Sequence, residues 1–165
     1  MNDLSQAAQQ AVKHATRLTL YARQWLSADQ AQDVVQDALT ALLSQRTCPA
    51  DPLAWMYTAV RYGAIDHLRA GTRRRRREER AAQDRREWFE ATSDSAIDAD
   101  LAQRAMESLP RELREIVVLR IWGELGFVQI AAIAQVSVGT AHQRFTQAIG
   151  LIRAKMENPC KTKMI

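Results

Sequence analysis

Apolar residues recur at helical spacing along nearly every ordered-looking stretch of this 165-residue chain. Runs of β-branched residues are short, and Gly and Pro number six and four, too few to punctuate many strands. A spacing of three and four residues gathers side chains on one face of a helix. The alternating pattern of a half-buried strand does not occur. The chain therefore reads as all α, with no internal repeat.

The charge distribution divides it further. Residues 61–86 carry ten arginines against four acidic residues, while 1–60 and 87–165 are each net −1. The whole excess of +4 thus lies in one segment. A stripe this dense points to a polyanionic partner, although a solvated arginine tail has the same composition. Residues 72–100 are rich in Arg, Glu, Asp, Ala and Ser, with Trp88, Phe89 and Ile97 as their bulky apolar residues. They read as a linker whose Trp88-Phe89 pair docks on a partner or on a neighbouring domain. The resulting layout is a first domain over 1–74, a linker over 75–100, a second domain over 101–157 and a flexible tail over 158–165.

In the first domain the pattern gives a helix over about 4–26 and a second over about 29–45, with Asp29 as its N-cap. Val34, Val35, Ala38, Leu39, Leu42 and Leu43 form the apolar face of the second helix. Asp33, Gln36, Asp37 and Thr40 lie opposite. Two prolines, Pro49 and Pro52, interrupt helical structure, and Asp51 is placed to cap a third helix that opens on Pro52. The inner face of that helix is Leu53, Met56, Tyr57, Val60, Ala64 and Leu68. Trp55, Tyr62, Asp66 and Arg69 project to the other side, with Arg61 at the edge. Aromatic rings beside arginines suit an unpaired nucleic-acid strand, because bases stack on rings while guanidinium groups hold phosphates. Packing of Trp55 and Tyr62 on the first helix is the competing arrangement.

In the second domain, a helix over about 101–108 precedes one opened by Pro110, whose core residues are Leu113, Ile116, Val117, Leu119 and Ile121. Gly123 and Gly126 punctuate the chain before FVQIAAIAQVSVGTAHQRF, residues 127–145. A short apolar helix over 127–134, a turn at Gln135-Val136 and a Ser137-capped helix to about Met156 have the spacing of a helix-turn-helix. An ordinary helical hairpin has similar spacing, and Gln135 stands where many such turns carry glycine. Val138, Ala141, Phe145, Ala148, Ile149 and Ile152 form the inward face of the last helix. Thr140, Gln143, Arg144 and Gln147 lie opposite, and His142 sits on the flank within reach of a phosphate or a base. Arg can bridge guanine edges and Gln can pair with adenine. Ser137 and the helix N-terminus offer N–H groups to a phosphate.

The segments DQAQDVVQDALTALL (29–43), PLAWMYTAVRYGAIDHLRA (52–70) and SLPRELREIVVLRIWGELGFVQIAAIAQVSVGTAHQRF (108–145), with the arginine-rich linker, resemble bacterial RNA polymerase sigma factors. The similarity is to the compact extracytoplasmic-function type, which keeps only regions 2 and 4. The resemblance implies two small helical domains joined by an arginine-rich linker, the second a helix-turn-helix domain. It implies that Asp33, Gln36 and Asp37 bind the β′ clamp helices and that the second domain docks on the β flap. Trp55, Arg61, Tyr62, Asp66, Arg69, Arg73 and Arg74 would engage and melt the −10 element, with a flipped base captured in the loop at 46–51. Ser137, Thr140, His142, Gln143, Arg144 and Gln147 would read the −35 element. Core RNA polymerase and promoter DNA are the implied partners, and the family leaves a place for an anti-sigma factor. The sequence departs from the family at Leu39, where an aromatic is frequent, at Tyr62, where Asn is, and at Gly126, where a Ser cap is usual. His142 and Gln147 also replace frequent basic residues.

Other classes find little support. His14, His67 and His142 lie far apart without a nucleophile or metal-spaced partner. Cys48 and Cys160 belong to no CxxC or His/Cys cluster, which suggests reduced thiols. The expectation is a protein with no catalytic residues, metal, cofactor or small-molecule substrate. No apolar run approaches the ~18 residues that span a bilayer, and MNDLSQAAQQAVKH has no basic start followed by an apolar block. A cytoplasmic location is expected, at the nucleoid when polymerase is bound. The rival assignment is a stand-alone helix-turn-helix regulator that never binds polymerase.

Overall fold

The computed structural model describes residues 2–75 and 96–157, with side chains for 4–71 and 101–157. Most of the expected linker, the Trp88-Phe89 pair, Cys160 and the tail lie outside the described residues. The chain is all α and divides into two compact units, Met1–Trp88 and Phe89–Ile165.

The first unit holds α1 (Asn2–Lys13), α2 (Ala15–Ala22), α3 (Ala28–Leu43) and α4 (Pro52–Arg75). One continuous helix was expected over 4–26. Instead, His14 takes φ −98° and ψ 5°, off the helical region, and α1 and α2 separate there. Both then pack on α3 and α4. After α2 the chain turns so that Trp25 and Leu26 enter the core. Tyr21 meets Trp25 and Tyr57 edge to face, at centroid distances of 5.1 and 5.3 Å, which joins α2 to α4.

The cap of α3 is Ser27 rather than the expected Asp29. The Ser27 hydroxyl accepts from the Gln30 N–H, and the Gln30 side chain accepts from the Ser27 N–H at 3.3 Å. Asp29 falls in the first turn, where its charge complements the helix dipole. Ala31, Val34, Val35, Ala38 and Leu42 are buried, whereas Leu43, expected in the core, is 55% exposed at the last position of the helix. For α4, the Asp51 carboxylate accepts from the Ala54 N–H at 3.0 Å, with Pro52 opening the helix as the sequence requires. Met56, Tyr57, Val60 and Ala64 are buried against the other three helices, while Leu53 and Leu68 are half-buried.

The second unit holds α5 (Ala96–Glu107), α6 (Arg111–Ile121), α7 (Phe127–Ala134) and α8 (Val138–Glu157). The last helix packs on each of the other three. In α6, Leu113 and all of residues 115–119 are buried, so the helix is enclosed on most sides. Ile121, expected in that core, is 47% exposed. The chain bends back after it, and a Leu125 N–H to Leu119 O bond of 3.2 Å seats buried Leu125 beside the last turn. Gly123 is required in this bend, since a Cβ there would lie 2.5 Å from the Leu119 carbonyl oxygen. Arg114 is partly buried in α6. Burial lowers the pKa of its guanidinium, with Glu107 opposing the shift and Arg111 adding to it.

Candidate nucleic-acid interface

The helix-turn-helix is built by local rules. Gly126 takes an extended conformation and its N–H donates to the Gln129 side chain at 2.8 Å, which opens α7 without a hydroxyl cap. The helix closes on Gln135, whose φ of 58° and ψ of 48° place it in the left-handed region. Val136 N–H then reaches back to the Ala131 carbonyl at 3.0 Å, a helix-closing bond that does not depend on glycine. Ser137 caps α8, accepting from the Thr140 N–H at 3.0 Å, and its hydroxyl also pairs with the Thr140 hydroxyl at 2.8 Å.

Phe127 ties the motif together. It lies edge to face with Phe145 at 5.7 Å and with His142 at 5.0 Å. The Arg120 guanidinium sits 5.0 Å from the centre of its ring while donating to the Leu125 carbonyl at 2.8 Å. On α8, Ala141 and Ala148 are buried, and Phe145, Ile149 and Ile152 are half-buried. Val138, expected to pack inward, is 46% exposed because it is the first residue of the helix.

The six side chains singled out for duplex contact occupy two different settings. Ser137, His142, Gln143 and Gln147 are exposed. Thr140 and Arg144 are half-buried. The Arg144 guanidinium lies 3.3 Å from the Glu112 carboxylate of α6, with the arginine side chain 29% exposed and the glutamate 71%. At 100° per residue the outermost crest of α8 is Gly139, Gln143, Thr146 and Gly150, with Gln147 beside it, all exposed. Sequence reasoning passed over Gly139, Thr146 and Gly150, although their spacing of i, i+7 and i+11, with Gln143 at i+4, was available. Arg144 falls to the α6 side of that crest.

In the first unit, Trp55, Tyr62, Asp66 and Arg69 share a face of α4 by their spacing. Tyr62 is 48% exposed and Trp55 half-buried. Asp66 and Arg69, both exposed, form an i, i+3 pair at 3.6 Å. Arg61 is half-buried. Arg73 and Arg74 continue the α4 backbone, and their side chains lie outside the described residues. In the preceding loop, Arg46, Thr47, Ala50 and Asp51 are exposed and Cys48 and Pro49 half-buried. On α3, Asp33, Gln36, Asp37 and Thr40 are exposed. That helix contains three aspartates and no lysine or arginine, so every charge on its outer face is negative. Among the described residues no cluster of His, Cys, Asp or Glu is arranged to hold a metal, and no helix is long and apolar enough to cross a membrane.

The chain has counterparts among known proteins. Residues 99–150, from within α5 through most of α8, match the Sigma-70, region 4 family. RNA polymerase sigma factor SigV of Bacillus subtilis (strain 168) is 28% identical over 133 residues, which is 78% of this chain and 76% of that protein. The sigma factor RpoE of Bartonella quintana, solved in complex with the anti-sigma factor NepR, shares the fold with a TM-score of 0.71 at 19% identity, over 90% of this chain and 95% of that one. CnrH, solved in complex with the cytosolic domain of CnrY, does so with a TM-score of 0.59 at 22% identity, over 93% and 94%. Region 4 is the part that contains α6, α7 and α8, and the likeness to SigV extends well beyond it. The chain thus matches sigma region 4 over its second unit and is similar to an RNA polymerase sigma factor over most of its length.

Proposed function

We propose that this chain is a sigma factor that binds core RNA polymerase and directs promoter-specific initiation by engaging two DNA elements, one with each unit. The observation that carries the proposal is the occurrence, in one chain, of a region 4 helix-turn-helix with an exposed α8 crest and a separate unit whose α4 presents Tyr62, Asp66 and Arg69 to solvent. In the second unit, α8 enters the major groove of the −35 duplex. Gln143 and Gln147 face the base edges, and the Ser137 end of the helix meets a phosphate.

In the first unit, the acidic face of α3 around Asp33, Gln36 and Asp37 docks on the β′ clamp helices. That docking leaves α4 and the loop at 46–51 against the −10 element. Tyr62 and Trp55 offer rings to unpaired bases, and stacking contributes on the order of 1–3 kcal/mol per base. Arg61, Arg69, Arg73 and Arg74 neutralise phosphates, and open DNA is stabilised without any reaction at the sigma factor itself. Bond formation is left to core polymerase, and the protein works in the cytoplasm, at the nucleoid once bound.

Run-off transcription with purified core polymerase on a pool of promoter fragments tests this. A transcript from a defined subset of fragments, dependent on the added chain, is expected. No specific transcript together with no co-purification with core would overturn the proposal. Tight, specific DNA binding by the chain alone would favour a stand-alone regulator.

A further inference from the structure

Arg144 is the only lysine or arginine in the first fifteen residues of α8, the part of the helix that would enter a groove. Its charge is met by Glu112, on the first turn of the neighbouring α6, at 3.3 Å. The crest beside it, Gly139, Gln143, Thr146, Gln147 and Gly150, carries no charge. That part of the helix is therefore close to neutral. Its contacts with DNA depend on amide hydrogen bonds, which distinguish bases, more than on phosphate attraction, which does not.

We propose that Glu112 is a specificity-determining residue of the helix-turn-helix. It holds Arg144 against α6 and offsets the one cation in that part of α8, which would otherwise attract any duplex. The inference rests on α8 being the −35 reading helix. The carboxylate acts in two ways. Pairing withdraws the guanidinium from the phosphates, so only the unpaired fraction of Arg144 contributes to indiscriminate binding. Its own negative charge, 71% exposed at the α6 N-terminus, also repels a phosphate that approaches out of register. The pair is open enough to solvent to exchange readily, so the control is graded rather than absolute.

The test uses reconstituted holoenzyme containing wild-type chain, Glu112→Gln, Arg144→Ala or the double variant. Each is titrated with a promoter fragment and with an unrelated duplex between 50 and 200 mM salt. Glu112→Gln should bind the unrelated duplex more tightly. It should also release about one more counterion in doing so, an additional loss of roughly threefold across that salt range. The ratio of promoter to unrelated binding should fall correspondingly. The double variant should lose most of the gain and lie close to Arg144→Ala, differing only by the repulsion that the missing carboxylate no longer supplies. Glu112 lies on the surface, and thermal melting of the free variants checks that folding is unchanged. Wild-type initiation with Glu112→Gln indistinguishable from wild type would overturn this inference alone. So would a loss of promoter binding with unrelated binding unchanged, which would make Glu112 a support for Arg144 rather than a restraint. Failure of wild-type holoenzyme to initiate at any fragment would instead overturn the promoter-reading function.

Discussion

Gly63 of α4 and Val34 of α3 approach so closely that a Cβ on Gly63 would lie 2.8 Å from the Val34 Cγ1. Val34 is buried and β-branched, and a helical valine has essentially one comfortable χ1 rotamer. It has little freedom to turn aside. Gly63→Ala gains about 1 kcal/mol of helix propensity but incurs about 1–3 kcal/mol of overpacking. The expected net effect is a destabilisation of about 1 kcal/mol, a fall in the melting temperature of the first unit of several degrees. Val34→Ala destabilises by itself through the lost burial. The double variant should be more stable than the sum of the two, because truncating the valine vacates the space that the new methyl needs. Strict additivity in a double-mutant cycle would show that the two helices can separate at little cost.

The turn of the helix-turn-helix carries a correctable strain. Gln135 holds a left-handed conformation, which costs a residue with a Cβ about 1–2 kcal/mol relative to glycine. Glycine at the same place adds about 0.5–1 kcal/mol of unfolded-state entropy. Gln135→Gly should therefore stabilise the second unit by about 0.5–1 kcal/mol. Urea denaturation of the two proteins measures the difference. A loss of stability would mean that the Gln135 side chain contributes more than its backbone strain removes.

Both cases bear on what the sequence could disclose. The boundaries of α7 and the start of α8 were legible because the signals are local: an apolar eight-residue run and a serine that caps the next helix. The break at His14 was not, since no glycine or proline marks it and it forms as α1 and α2 pack on α3 and α4. The cap of α3 was legible in principle. Asp29 and Ser27 are both competent capping residues, and Gln30, three positions after Ser27, was the deciding signal that was overlooked. Ile121 and Val138 were misplaced for one reason: each ends a helix, where periodicity continues on paper after packing has stopped. The exposure of Asp33, Gln36 and Asp37 on α3, of Tyr62, Asp66 and Arg69 on α4 and of Gln143 and Gln147 on α8 followed from spacing alone. The Glu112–Arg144 pair did not, because spacing within one helix does not reveal which neighbouring helix receives a side chain.

The assignment of the α3 cap has a direct consequence. Ser27→Ala removes the hydroxyl that accepts from Gln30 and should destabilise the first unit by about 1 kcal/mol. Asp29→Ala removes only a favourable charge in the first turn and should cost a few tenths of a kcal/mol, diminishing as salt rises. The order of the two melting temperatures decides between them. Asp29→Ala melting below Ser27→Ala would restore the aspartate as the cap.

Tyr62 offers the sharpest test of strand opening. It is 48% exposed on α4, on the face shared with Asp66 and Arg69, and so contributes little to the core. Tyr62→Ala should leave the fold and the affinity for core polymerase unchanged. Removing one stacking surface worth on the order of 1–3 kcal/mol should lower the fraction of open promoter by at least fivefold. Permanganate reactivity of unpaired thymines around the −10 position reads that fraction. On a template whose −10 region is already unpaired by mismatches, the cost of opening is gone, and much of the transcription defect of Tyr62→Ala should disappear. Tyr62→Phe keeps the ring and should behave nearly as wild type on both templates. An equal defect on paired and mismatched templates would assign Tyr62 to a step other than melting. Equal transcription by Tyr62→Ala and wild type on the paired template would remove it from the −10 interface altogether.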